Sequence, residues 1–125
     1  MYEIGVVEEF EAAHSLKGDF GAATRLHGHT YRVEVTVGGE GLDASGVLCD
    51  ISRVKETLRA IVGRLHYQNL DELEELRGIN TTAENLCKHI YDKLSPHLDR
   101  AQVQHLKVTL WESSSAFASY QGEIR

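Results

Sequence analysis

The chain has 125 residues, 42% hydrophobic and 26% charged, enough for one compact domain over 1–125 and too few for two cores. A net charge of −6 with scattered Lys and Arg excludes an ordinary nucleic-acid backbone binder, although a local basic pocket for a small phosphorylated molecule stays open. Cys49 and Cys87 lack CxxC spacing, the acidic N-terminal stretch has no signal-peptide core, and no apolar run spans a membrane, so a soluble protein of the reducing cytoplasm is expected.

From Tyr2 to His14, apolar Ile4, Val6, Phe10 and Ala12 on even positions face Glu3, Glu9 and Glu11 on odd ones, the period of a half-buried strand. His14 falls on its apolar face. Residues 17–25, "KGDFGAATR", break the period and read as a loop into a second strand, where Tyr31, Val33, Val35 and Val37 share a parity with His27 and His29. The glycine cluster "GGEGLDASG" lacks the spacing of a phosphate loop and reads as a turn. After it, Asp50 is placed to cap a helix whose Ile51, Val54, Leu58, Ile61, Val62 and Leu65 recur at 3–4 spacing. A second helix is expected at "TTAEN", where Thr81 and Glu84 have capping-box spacing, with Leu86, Cys87, Ile90, Tyr91 and Leu94 inward and Pro96 near its end. Leu106, Val108, Leu110 and Glu112 then share one side of a strand, and "AFASYQGEI" supplies another. The order β-β-α-α-β-β predicts an α+β domain, a four-stranded antiparallel sheet with two helices on one face.

Two histidines two residues apart in "LHGHTY" project from the same face of a strand, at a separation one metal ion can bridge. With His14 at the end of the neighbouring strand, they make a set of three imidazoles with an open fourth position, the donor set of a catalytic zinc; the alternative is three hydrogen-bonded strand-end histidines. Glu112 breaks an inward apolar series, so it has either reached solvent at the strand end or receives the N–H/NH2 edge of a planar ligand. Cys49, before a helix N-terminus, could be an activated thiol but is more simply a small packed residue. Cys87 reads as core, and His89, His97 and His105 as surface or capping residues. His66 and Tyr67, just past the first helix, are candidates for acid–base work or for a structural role.

"FEAAH" (10–14), "LHGHTYRVEV" (26–35), "TTAEN" (81–85) and "LWES" (110–113) together resemble the 6-pyruvoyltetrahydropterin synthase family, which includes the 6-carboxytetrahydropterin synthases of queuosine biosynthesis. The resemblance runs nearly end to end and in order. It implies a tunnelling fold (T-fold), assembled as trimers paired into a homohexamer with active sites between subunits. It also implies zinc on His14, His27 and His29, a pterin edge held by Glu112, and a ring supported at Thr82 and Ala83. Active members carry a cysteine base four residues before the first histidine of HGH, and that position is Ala23, followed by Thr24 and Arg25. The family's Asp-His pair in LDHxNLD stands here as His66 and Tyr67 in "LHYQNLD". These departures leave His66, Tyr67 or Asp19 to supply a substitute acid or base. The expected activity is a zinc-dependent lyase acting on 7,8-dihydroneopterin triphosphate or a related pterin. The alternatives are a non-catalytic pterin- or purine-binding paralogue and a zinc hydrolase using metal hydroxide.

Overall fold

A computed structural model describes residues 1–124. Strands β1 (Tyr2–His14) and β2 (His27–Gly39) form a long antiparallel hairpin, followed by α1 (Ile51–Gly63), β3 (Gln68–Asn69), α2 (Ala83–Leu94), β4 (His105–Ser113) and β5 (Ala116–Glu123). The sheet order is β3-β1-β2-β4-β5, antiparallel throughout except for β3, which runs parallel to β1. The expected four strands are thus joined by a fifth. Its two residues, pairing with Ala12 and Ala13, are too few to leave a period in the sequence.

Alternation decides which face is covered. Val6, Phe10 and Ala12 of β1, Tyr31, Val33, Val35 and Val37 of β2, and Leu106, Val108 and Leu110 of β4 are buried together. Both helices lie on that face, α1 against β1 and α2 against β4 and β5. Helix α1 buries Val54, Leu58 and Val62, and its N-terminus is closed by Asp50, whose carboxylate accepts from the Ser52 and Arg53 N–H groups. Ile51, expected inward, is instead 44% exposed, because it occupies the first turn before the helix meets the sheet. Helix α2 buries Leu86, Cys87, Ile90 and Leu94, but its cap is Thr82 rather than Thr81. The Thr82 hydroxyl accepts from Asn85 N–H, while Thr81 turns its own hydroxyl inward. No described helix is long and apolar enough to cross a membrane.

Both cysteines are free. Cys49 packs half-buried against the core, and burial, with the Asp50 charge adding to it, pushes its thiol up rather than activating it. Cys87 is fully buried, its thiol directed at the Ala118 carbonyl 3.3 Å away, and burial pushes its pKa up to about 11.

At the far end of the hairpin, Gly39 permits a close approach: an added Cβ would stand 2.5 Å from the Gln102 carbonyl oxygen and 2.6 Å from Leu48 Cδ1. Gly63, the last residue of α1, has open space and an ordinary backbone conformation. In urea unfolding, Gly39→Ala should therefore destabilise the protein by about 1–3 kcal/mol, whereas Gly63→Ala should stabilise it by about 0.4–1 kcal/mol through the unfolded chain. Equal effects at the two positions would contradict the packing at Gly39.

Candidate metal centre

The hairpin register puts His14 directly opposite His27 and Ala12 opposite His29, so three side chains of matching parity converge where the two strands join the loop at residues 15–26. The His14 ring centroid is 4.6 Å from that of His27 and 5.2 Å from that of His29, and the His27–His29 separation is 4.8 Å. One ligand nitrogen from each residue lies within 4.8 Å of the others. His14 is buried, and its neighbours are partly exposed.

Backbone carbonyls set the tautomers. His14 Nδ1 faces the Thr81 carbonyl at 2.7 Å, and His27 Nδ1 faces that of Arg25 at 2.7 Å. A nitrogen pointing at a carbonyl must carry the proton, which leaves Nε2 of each neutral ring as a lone-pair donor. Burial holds His14 below the ordinary histidine pKa, an effect that His27 and His29 reinforce against the opposing Thr81 hydrogen bond. His29 Nε2 is buried and has no hydrogen-bond partner. An orphaned nitrogen beside two prepared lone pairs fits a cation that prefers imidazole, and three histidines with no fourth protein ligand fit zinc with a position left open.

Glu112 sits on the same side, one oxygen 4.0 Å from His29 Nε2, its side chain 31% exposed. That distance is too long for a hydrogen bond but close enough to place the carboxylate beside the cluster. Tyr31 is fully buried beneath the histidines, stacked on Phe10 with ring centroids 4.8 Å apart, and its hydroxyl is 3.4 Å from His14 Nε2. Burial pushes the phenol well above its usual value, so it stays neutral.

The expected acid–base candidates are more dispersed. His66 and Tyr67 make no hydrogen bond or ring contact with the three histidines. They lie on the outer edge of β1, where His66 Nδ1 accepts the Glu11 N–H at 3.1 Å and Tyr67 N–H donates to the Glu11 carbonyl at 2.6 Å. The His66 proton must then sit on Nε2. Tyr67 stacks on His66, ring centroids 3.9 Å apart, and is 76% exposed. It is the one described non-glycine residue with positive φ, at 57°. Tyr67 and His29 both border a cavity of about 480 Å³, completed by Glu11, Thr30 and Asn69 among others. Asp19 is exposed in the loop. Ala23 lies in a 3-10 turn (Gly21–Thr24), its carbonyl accepting the Leu16 N–H at 2.9 Å. Thr82 and Ala83 follow Thr81 directly; the buried Ala83 can offer a ligand only its backbone.

Sequence reasoning missed Thr81 as a partner of His14, and with it Asp71 and Ser15. Asp71 accepts from the Thr81 hydroxyl at 2.8 Å and from the Ser15 N–H at 2.8 Å. Only the "NLD" that follows the first helix could have drawn attention to Asp71. Nothing in a one-dimensional pattern pairs it with residues 15 and 81.

A family model described as 6-pyruvoyl tetrahydropterin synthase matches residues 3–123. The chain is 32% identical to 6-pyruvoyl tetrahydrobiopterin synthase of Dictyostelium discoideum, over 93% of each chain. It is 30% identical to 6-carboxy-5,6,7,8-tetrahydropterin synthase of Bacillus subtilis, over 96% of this chain and 85% of the relative. Among solved structures, the 6-pyruvoyl tetrahydropterin synthase of Caenorhabditis elegans superposes with a TM-score of 0.85 at 25% identity, covering 97% of this chain and 95% of that one. With the T-fold architecture and the strand-borne histidines in register, the match from end to end establishes that the chain belongs to the 6-pyruvoyl tetrahydropterin synthase family.

Proposed function

We propose that the chain is a zinc-dependent pterin lyase, acting on 7,8-dihydroneopterin triphosphate or a related pterin in a 6-pyruvoyl- or 6-carboxytetrahydropterin synthase-like reaction, with substituted proton-transfer residues. The observation that carries this reading is the buried, partnerless His29 Nε2 beside the lone pairs of His14 and His27. Held by His14, His27 and His29, zinc supplies Lewis-acid polarisation for a hydroxyl or carbonyl of the pterin side chain.

The chain's own groups do the rest. Glu112 receives the 2-amino and N3–H edge through two parallel charge-assisted hydrogen bonds, which fixes the ring and aims its side chain at the histidines. The Thr82 oxygen already accepts from Asn85, so its O–H remains to donate to the ring, and Ala83 contributes backbone. Ala23 has no proton to move. Tyr67 takes over proton transfer instead: it borders the cavity that His29 borders, and a strained backbone at a large, exposed aromatic residue is a feature held for use rather than for packing. His66, stacked beneath it, presents Nε2–H and assists the proton transfer.

Assembly as a homohexamer, a dimer of trimers with sites between subunits, is part of the same proposal. It is supported by the sheet face opposite the helices, which leaves Val7 45% and Phe117 57% exposed, and by the outer edge of β5, which pairs with no described strand. Two separate free thiols support a reducing, cytoplasmic setting.

Zinc-loaded protein incubated with 7,8-dihydroneopterin triphosphate should yield a side-chain elimination or cleavage product by mass spectrometry, and none after chelation. Tight binding without product would mark a non-catalytic pterin-binding paralogue, and net addition of water a hydrolase. Replacing both His66 and Tyr67 with Phe should cut turnover by about 10²- to 10⁴-fold; unchanged turnover of every pterin tested would remove the pair from the mechanism. Glu112→Gln should weaken pterin binding by about 10- to 100-fold in calorimetry while leaving the zinc content unchanged.

A further inference from the structure

His14 and Thr81 are both fully buried polar side chains, and they are partners. The Thr81 carbonyl orients the His14 ring, and its hydroxyl, 3.3 Å from the same Nδ1, donates to Asp71 Oδ1 at 2.8 Å. The other Asp71 oxygen accepts from the Ser15 N–H at 2.8 Å and from the Ser15 hydroxyl at 3.2 Å. One carboxylate therefore holds both the strand end that carries His14 and the segment whose carbonyl aims its ring. A second strap joins the same two segments, with Lys17 N–H donating to Asn80 Oδ1 at 2.9 Å and Asn80 Nδ2 to the Lys17 carbonyl at 2.8 Å. Asp71 is itself seated by its N–H, which donates to Asn69 Oδ1 at 3.1 Å.

We infer that Asp71 is a positioning residue for the metal centre, acting through Thr81 and Ser15 to present His14 Nε2 toward the ion. The inference rests on the metal reading above and adds to it a residue outside the three-histidine set. A ligating histidine binds well only when its other nitrogen is held, because that contact fixes the tautomer, the ring angle and the basicity of the donor. A backbone carbonyl cannot be deleted by substitution, but what holds it in place can. Asp71 is that support: it accepts three hydrogen bonds, from residues 15 and 81, and none from solvent-exposed lysine or arginine.

The test is zinc affinity, measured by competition with a chromophoric chelator, together with the visible spectrum of the cobalt-substituted protein and the circular dichroism of the metal-free chain. Asp71→Asn places an amide where two Ser15 donors and one Thr81 donor converge, and Thr81→Val removes the hydroxyl while keeping shape and carbonyl. Each should lower zinc affinity by about 10- to 100-fold and shift the cobalt absorption bands, with the metal-free fold retained. Thr81→Ser, which restores the hydroxyl, should return both readouts to parental values. Should Asp71→Asn not fold, the Thr81→Val and Thr81→Ser pair decides. Parental affinity and an unshifted spectrum in Thr81→Val would overturn the inference while leaving the metal site standing. A parent chain that takes up neither zinc nor cobalt would overturn the metal site itself.

Discussion

The arrangement depends on one buried imidazole. His14 lies at the inner end of β1, where water cannot reach it, and a polar ring placed there without a partner would cost several kilocalories per mole. The Thr81 carbonyl offsets that cost, and in doing so it ties the strand end to the segment that opens α2. The hairpin register does the remaining work: with His14 opposite His27, a shift of one residue would turn His27 and His29 to the far face of the sheet. Sheet pairing and ring orientation thus specify the three-histidine cluster jointly, and neither would do so alone.

The histidine cluster and the His66–Tyr67 pair are separated in this fold. The histidines and Glu112 project from the helix-covered face, while His66 and Tyr67 sit on the strand edge, where Tyr67 borders the same cavity as His29. This separation makes it physically reasonable for one set to be retained while the other changes. His66 also has a backbone duty, its unprotonated Nδ1 accepting the Glu11 N–H in place of a strand partner, and unlike an aspartate, which could accept the same bond, it then presents a donor at Nε2. The Dictyostelium discoideum and Bacillus subtilis relatives are named as a 6-pyruvoyl and a 6-carboxy synthase, so the names within the family cover more than one product.

Much of this was legible in the sequence because period-two alternation is local. Ile4 to Ala12 and Tyr31 to Val37 declare which face is buried, and the parity of His14, His27 and His29 follows from it. Glu112 was identifiable as an interruption of an apolar series, and the structure brings it to the cluster. What escaped was either too short or too distant. The two-residue β3 has no period, the cap of α2 moved by one residue because Thr81 was drawn inward by Asp71, and the carbonyls of Thr81 and Arg25 are invisible to any pattern of side chains. The tautomers of His14 and His27, which decide whether their Nε2 atoms can serve one ion, rest on those carbonyls.

The hairpin itself has an unequal tolerance to change along its length. Its two 13-residue strands span roughly 40 Å, with the histidines at the end bridged by residues 15–26 and the Gly38–Gly39 turn-off at the other. The bridging segment is laced back to its own start by the Leu16 N–H to Ala23 carbonyl bond and to the segment before α2 by the Lys17–Asn80 strap. Added or deleted residues there would be transmitted straight into the spacing of the imidazoles. Residues 40–47, the exposed stretch after β2, carry no such ties to the cluster, so a change in their length would leave the spacing of the imidazoles unaltered.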